Sequence, residues 1–372
     1  MVLGGTGDMG SLAVRELGRE AEVEQVTIVG RNRERAEALA AEVGSHAQVA
    51  ILDVQDTAAL KAALEGHDVA VGALGPFYLY ETLMAEAAID AGIPYVSICD
   101  DYDATQAVLE LDPAAKQRGV TVLTGMGWTP GITNICAKKA TQLLDVAERI
   151  HISWAGASAD AEGLAVISHM MHIFTGKVPT FVDGTWQRLP AGSGRRSVHF
   201  PDPMGAVAVY HVGHPEPVTI PRFMPGVQEV SLRGGLTESF LTYVGIGIAR
   251  LGLTRTPERR ERLAAQMKPL LPLLEQIGPQ ARPLSGAHVE VQGMKDGQPA
   301  RIELAAVDRM ARLTSLPLVV GALMLGRGEI DNPGVIAPES PNGPDPDAVF
   351  RALAQYELQV HVGEVEYLEA SE

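Results

Sequence analysis

Two adjacent carboxylates, Asp100 and Asp101, follow the short apolar run 93–98 and precede a helical pattern. A carboxylate at such a strand end can stabilise positive charge developing on a bound substrate and exchange a proton with it. The plainer alternative is capping, with Asp101 or Asp103 at the start of a helix expected from about Ala104. A second constellation opens the chain. Val2-Leu3-Gly4-Gly5-Thr6-Gly7-Asp8-Met9-Gly10 is an apolar strand running into a G-x-G-x-x-G turn. In such a turn Gly5 permits the tight bend and Gly7 lets backbone N–H groups approach a pyrophosphate. Gly10 lets the next helix, expected over 10–20, pack close to the strand, its positive end toward the phosphates.

One helix later, Gln25-Val26-Thr27-Ile28-Val29 reads as the second strand, ending in Gly30-Arg31-Asn32-Arg33. Proteins that bind NAD place an acid here for the ribose 2′-OH, whereas an arginine accommodates a 2′-phosphate. Arg31, with Arg33 and Arg35 behind it and no acid before Glu34, points to NADP over NAD. Arg35 reads as a solvated helix residue.

The elements that must position these groups alternate through the first third. Strands are expected at 48–54, 68–74, 93–98 and 120–124, and helices at 33–43, 57–64, 80–91 and 105–117. This is the rhythm of an α/β fold, a Rossmann-type doubly wound parallel sheet. Ligands in such sheets lie at the carboxyl ends of the strands. Asp53, Val54, Leu74, Gly75 and Pro76 are therefore expected to contact the cofactor, alongside Gly5 to Gly10, Arg31 and Asn32. Tyr78, Cys99 and Trp128 lie along the same edge and are candidate substrate contacts.

From about His151 the rhythm changes. Runs at 151–154, 206–210, 227–232 and 287–291 read as strands of a mixed or antiparallel sheet in a second domain. Residues 302–325 return to a strand and an apolar helix expected to pack on the first domain. Residues 338–346 read as a Pro-rich surface loop.

Three segments together resemble the saccharopine dehydrogenase-like oxidoreductases: Gly75-Pro76-Phe77 with the helix that follows it, Gly125-Met126-Gly127-Trp128-Thr129-Pro130-Gly131-Ile132-Thr133-Asn134, and Gly213-His214-Pro215-Glu216 with the late Leu323-Met324-Leu325-Gly326-Arg327-Gly328. The resemblance implies a discontinuous dinucleotide-binding domain, 1–128 and 310–372. An inserted α+β substrate and dimerisation domain would occupy 129–309, in a homodimer. It implies NAD(P)-linked oxidation of an amino-acid-derived secondary amine or reduction of the corresponding imine. Trp128-Thr129-Pro130 and Cys99-Asp100-Asp101 depart from the family's usual runs, so the resemblance does not fix the substrate.

An amino-acid-derived substrate would bring a carboxylate suited to a bidentate arginine. Arg222 and Arg233 are the candidates, with Arg195, Arg196 and Lys177 behind them. His169 and His172, and His211 and His214, are spaced three apart, yet neither pair has a third ligand at a metal-site spacing. No metal is expected, and His169 reads as structural or substrate-lining. Glu216 suits a polar network as readily as chemistry.

Composition narrows the classes. The 30 basic and 46 acidic residues give a net charge of −16, which argues against nucleic acid or an anionic membrane as partner. Two cysteines, Cys99 and Cys136, imply no disulfide framework and fit a reducing cytoplasm. The apolar stretch 316–325 is too short to span a bilayer. The first strand is clipped at its start, which leaves its length open at Met1. None of the 8 tyrosines is followed by lysine four positions on, closing the Tyr-x-x-x-Lys route of short-chain dehydrogenases. The alternative class is a non-catalytic NADP-binding sensor or scaffold, its crevice filled by apolar side chains.

Overall fold

A computed structural model describes residues 1–160, 164–267, 269 and 283–369. The chain divides into two compact units, one formed by Met1–Gly131 and Thr314–Asp345, the other by Ile132–Leu313 and Pro346–Glu372.

In the first unit, seven strands form one parallel sheet. Their order is Gly334–Ile336, Thr121–Leu123, Tyr95–Ser97, Ala70–Gly72, Val2–Leu3, Val26–Gly30 and Ala47–Ile51. The order reverses beside Val2–Leu3, which pairs with Val26–Gly30 on one side and Ala70–Gly72 on the other. That reversal is the switch point at which doubly wound sheets bind ligands. Central strands are buried on both faces, which explains their unbroken apolar runs. Val2, Leu3 and Ile28 are wholly buried. The helix Met310–Gly326 supplies the returning cover from Thr314 onward. Ser315 donates to the Met9 carbonyl oxygen at 2.9 Å, and Gly321 lies so close to Met126 that a Cβ would stand 2.8 Å from its Cγ.

Several boundaries differ from the pattern expected of the sequence. The first helix is Asp8–Leu17, so Asp8, Met9 and Gly10 belong to it rather than to the turn before it. The helix expected over 105–117 is two, Tyr102–Leu109 and Asp112–Arg118, because Pro113 has no N–H to continue the first and suits the opening turn of the second. The expected surface loop 338–346 is largely covered: Glu339 and Ser340 are buried, and Ser340 Oγ accepts the Ala337 N–H at 2.9 Å.

The second unit is built on a mixed sheet of ten strands among the described residues. Its main path runs Arg196–Phe200, Gly205–His211, Glu229–Leu236, Val146–Gly156, Ser285–Lys295, Gln298–Asp308 and Val360–Val362. All neighbours on this path are antiparallel except Glu229–Leu236 with Val146–Gly156. The strands Lys177–Val182, Thr185–Pro190 and Arg196–Phe200 fall outside the runs expected of the sequence. Residues 346–372, expected with the first domain, group with the second unit. Val360–Val362 and Glu366–Tyr367 extend the sheet on Gln298–Asp308, and Lys139 holds Asp347 at 2.7 Å. No helix among the described residues is long and apolar enough to cross a membrane.

Candidate cofactor and substrate site

The glycine turn is pinned from both sides. The N–H groups of Gly4 and Gly5 donate to the Val29 carbonyl oxygen at 3.1 and 3.0 Å, and that of Gly7 to the Gly4 oxygen at 3.0 Å. Gly4 has φ +83°, and a Cβ there would lie 2.8 Å from the Ala73 and Leu74 backbone. A Cβ on Gly10 would be driven into the Gly4 carbonyl oxygen. The left-handed conformation therefore falls on Gly4, outside the G-x-G-x-x-G spacing. Gly7 is extended (φ −80°, ψ 171°) and precedes the helix Asp8–Leu17 without a side chain over its free N–H groups. The result is a backbone cradle at a helix N-terminus, which suits a phosphate. Thr6 fits over Gly30, where a Cβ would stand 2.7 Å from the Thr6 hydroxyl.

At the end of the second strand, Arg31 is largely exposed and its guanidinium lies 3.8 Å from the Asp53 carboxylate. Asn32 serves the fold, since its side-chain oxygen accepts the Arg35 N–H at 2.9 Å and caps the helix Arg33–Val43. Arg33 pairs with Glu37 at 3.2 Å along that helix.

The strand Tyr95–Ser97 ends in Cys99, Asp100 and Asp101. Asp101 is wholly buried. Its backbone begins the helix Tyr102–Leu109, but its side chain does not cap that helix. Instead Oδ2 accepts the Tyr78 N–H at 2.9 Å, in the first turn of the helix Phe77–Ala91. The capping expected of Asp101 thus occurs on a neighbouring helix, and it ties the acid to the Leu74-Gly75-Pro76 strand end. Asp103 accepts the Ala104 N–H at 3.0 Å. Burial pushes the Cys99 thiol well above its ordinary range, with the Glu81 and Asp101 carboxylates acting in the same sense, so it stays neutral.

The same edge holds a carboxylate that sequence reasoning missed. Glu81, wholly buried, accepts hydrogen bonds from Tyr95 Oη at 2.8 Å, Ser97 Oγ at 2.5 Å and Thr124 Oγ1 at 3.4 Å. Burial raises its pKa from the ordinary 4.5 to about 7, against the lowering effect of the three hydroxyls. Its one sequence signal is an acid inside a helix flanked by apolar residues.

In the second unit, two segments singled out by resemblance meet. Thr133 Oγ1 donates to Glu216 Oε1 at 2.9 Å, and His214 Nδ1 lies 3.7 Å from Glu216 Oε2. His169 stacks edge-on against His214 with ring centroids 5.2 Å apart, and Trp154 lies 5.6 Å from the same ring. Arg233 donates to the Gly194 carbonyl oxygen and to Ser231 Oγ, each at 3.0 Å, and lies 3.2 Å from His211 Nε2. Burial, then the Arg233 charge, lowers the His211 pKa to about 4, so this imidazole is neutral at pH 7. Arg222 is exposed, its guanidinium 6.0 Å from the Phe223 ring centroid. Trp128, in the first unit, is buried.

Residues 1–123 match the family model described as the saccharopine dehydrogenase NADP binding domain. Carboxynorspermidine synthase of Vibrio cholerae is 26% identical over 308 residues, 73% of this chain and 72% of that protein. Saccharopine dehydrogenase [NADP(+), L-glutamate-forming] of Pyricularia oryzae is 34% identical over 122 residues, 32% of this chain and 25% of that protein. Among solved structures, apo saccharopine dehydrogenase (L-Glu forming) of Saccharomyces cerevisiae superposes with a TM-score of 0.70 over 99% of each chain at 17% identity, a likeness of fold.

Proposed function

From the match of residues 1–123 to the saccharopine dehydrogenase NADP binding domain, we propose that the chain is an NADP(H)-dependent oxidoreductase that acts on the C–N bond of an amino-acid-derived amine or imine. One observation supports this above the others: the glycine cradle and the acids Asp100 and Asp101 share the carboxyl edge of a single parallel sheet. The cradle fits a dinucleotide, since the space before the Asp8–Leu17 helix is kept by glycines whose Cβ atoms would strike the turn itself. Gly5, Thr6, Gly7, Asp8, Met9 and Gly10 would hold the pyrophosphate through their backbone. Arg31 would take the 2′-phosphate, while Asp53, Val54, Leu74, Gly75 and Pro76 line the adjoining strand ends. NADPH, when bound, supplies the hydride.

The chain's own contribution is the management of charge and protons. An imine accepts hydride well only when its nitrogen is protonated, and Asp100 or Asp101 would stabilise that cation and hold its proton. Asp101 suits this because the Tyr78 N–H fixes its carboxylate orientation. Arg222 and Arg233 are the candidates for the substrate carboxylate. The relatives' names put carboxynorspermidine and saccharopine first in a panel of amines and imines to be followed by NADPH absorbance.

Two results are expected. Asp101→Asn, which keeps an oxygen for the Tyr78 N–H, should lower kcat about 100-fold to 10,000-fold with NADPH affinity unchanged. The Asp100→Asn variant is measured beside it, and full activity in both would exclude the acid pair. Arg31→Asp should weaken NADPH binding at least about tenfold and NADH binding little, because it exchanges a phosphate partner for a like charge. Equal affinities of the parent for NADPH and NADH by fluorescence titration would overturn the Arg31 assignment.

A further inference from the structure

Glu81 stands where three elements of the first unit converge. Its own helix, Phe77–Ala91, begins with the turn whose Tyr78 N–H holds Asp101. The strand Tyr95–Ser97 sends two hydroxyls to its carboxylate, and Thr124 adds a third just beyond the strand Thr121–Leu123. The next strand leaves room for this arrangement. Gly72, opposite Ser97 in register, is the residue at which a Cβ would collide with the Tyr95 hydroxyl. Ser97 then passes the restraint onward: its Oγ, which donates to Glu81, accepts the Cys99 N–H at 3.4 Å, and its carbonyl oxygen accepts the Met126 N–H at 2.6 Å. A buried carboxylate is therefore bonded to the residue that anchors the start of the Cys99-Asp100-Asp101 turn.

We infer that Glu81 is a positioning residue: through Ser97, whose Oγ it binds and whose hydroxyl accepts the Cys99 N–H, it fixes the turn that carries Asp100 and Asp101. Nothing in this arrangement lets Glu81 reach a substrate, since its carboxylate is enclosed by the sheet's own hydroxyls. Its effect on chemistry must pass through the turn. Among the described residues, the titratable groups acting on it are Asp100, whose negative charge opposes its ionisation, and Tyr95 and Cys99, both held neutral by burial. A nearby negative charge, here on half-buried Asp100, opposes the ionisation of a wholly buried carboxyl. Loss of the Glu81 proton near neutrality therefore changes the field in which Asp100 works.

The activity arm of the test rests on the proposed oxidoreductase function, and a second arm does not. In that second arm, carbon-13 NMR follows side-chain carboxyl signals of the protein against pH. Glu81→Gln should remove one glutamate signal that titrates near neutrality, and Asp100→Asn should lower its midpoint by about half a pH unit or more. In the activity arm, Glu81→Gln keeps an oxygen for Ser97. It should retain kcat within about threefold at pH 6 while losing an inflection near pH 7. Ser97→Ala and Glu81→Ala should each lower kcat about tenfold or more with NADPH affinity held within about twofold. An ordinary midpoint for Glu81, or one indifferent to Asp100→Asn, overturns the inference whether or not turnover is found. Lack of turnover in the parent, with the NMR result as expected, would count against the proposed function instead.

Discussion

Gly10→Ala is expected to destabilise the first unit and abolish measurable NADPH binding together, because the added methyl would enter the Gly4 carbonyl oxygen and lift the first helix off the turn. Overpacking of this kind costs typically about 1–3 kcal/mol, and here the atom struck is backbone, which yields less readily than a side chain. Gly4→Ala should behave alike for two reasons, its φ of +83° and the Ala73 and Leu74 backbone 2.8 Å from the new Cβ. Gly7→Ala is the control that separates folding from binding. At φ −80° Gly7 is unstrained, and its Cβ would stand 3.3 Å from the Gly4 oxygen, a far milder contact than that of Gly10, so Gly7→Ala should lower the melting temperature much less than Gly10→Ala. The approach of a pyrophosphate would be obstructed in addition. Thermal melts and NADPH titrations of the three variants check this, and a Gly10→Ala protein that melts and binds like the parent would show that the helix does not rest on the turn as described.

The contrast among these glycines shows what the sequence made legible. The turn, the second strand with Arg31 at its end and the helices Arg33–Val43 and Thr57–Leu64 are local features, written in spacing and propensity over a dozen residues. The parallel sheet followed from their repetition. Which glycine carries the positive φ did not, because that depends on Ala73 and Leu74, brought up by a strand some seventy residues later. Asp101 illustrates the same limit. Local pattern offered a cap for its own helix, but the N–H it satisfies belongs to Tyr78, and only the fold brings the two together. The hairpin of Lys177–Val182 and Thr185–Pro190 escaped because its second strand is mostly exposed and so has no alternation to read. Residues 360–367 escaped because their partner, Gln298–Asp308, lies far back in the chain.

Glu81 is the clearest case, and it carries the last expectation. An acid in a helix reads as a solvated residue until hydroxyls 14, 16 and 43 positions away close over it. Once enclosed, it makes stability depend on pH in a defined sense. Its folded pKa, about 7, lies above the ordinary 4.5, so between these values the folded protein holds a proton that the unfolded chain has released. Its contribution is fully present below about pH 4.5 and is lost as pH rises through 7. Each tenfold change in proton affinity is worth about 1.4 kcal/mol, so the loss is on the order of 3 kcal/mol. Glu81→Gln cannot ionise, so its stability should lack this slope: relative to the parent, the variant should gain about 3 kcal/mol between pH 4.5 and 7.5. Urea unfolding of both proteins at these two pH values measures the difference directly. Parallel stability curves would mean that the Glu81 carboxyl ionises in the folded protein as it does in water, and that the three hydroxyls suffice to solvate its charge.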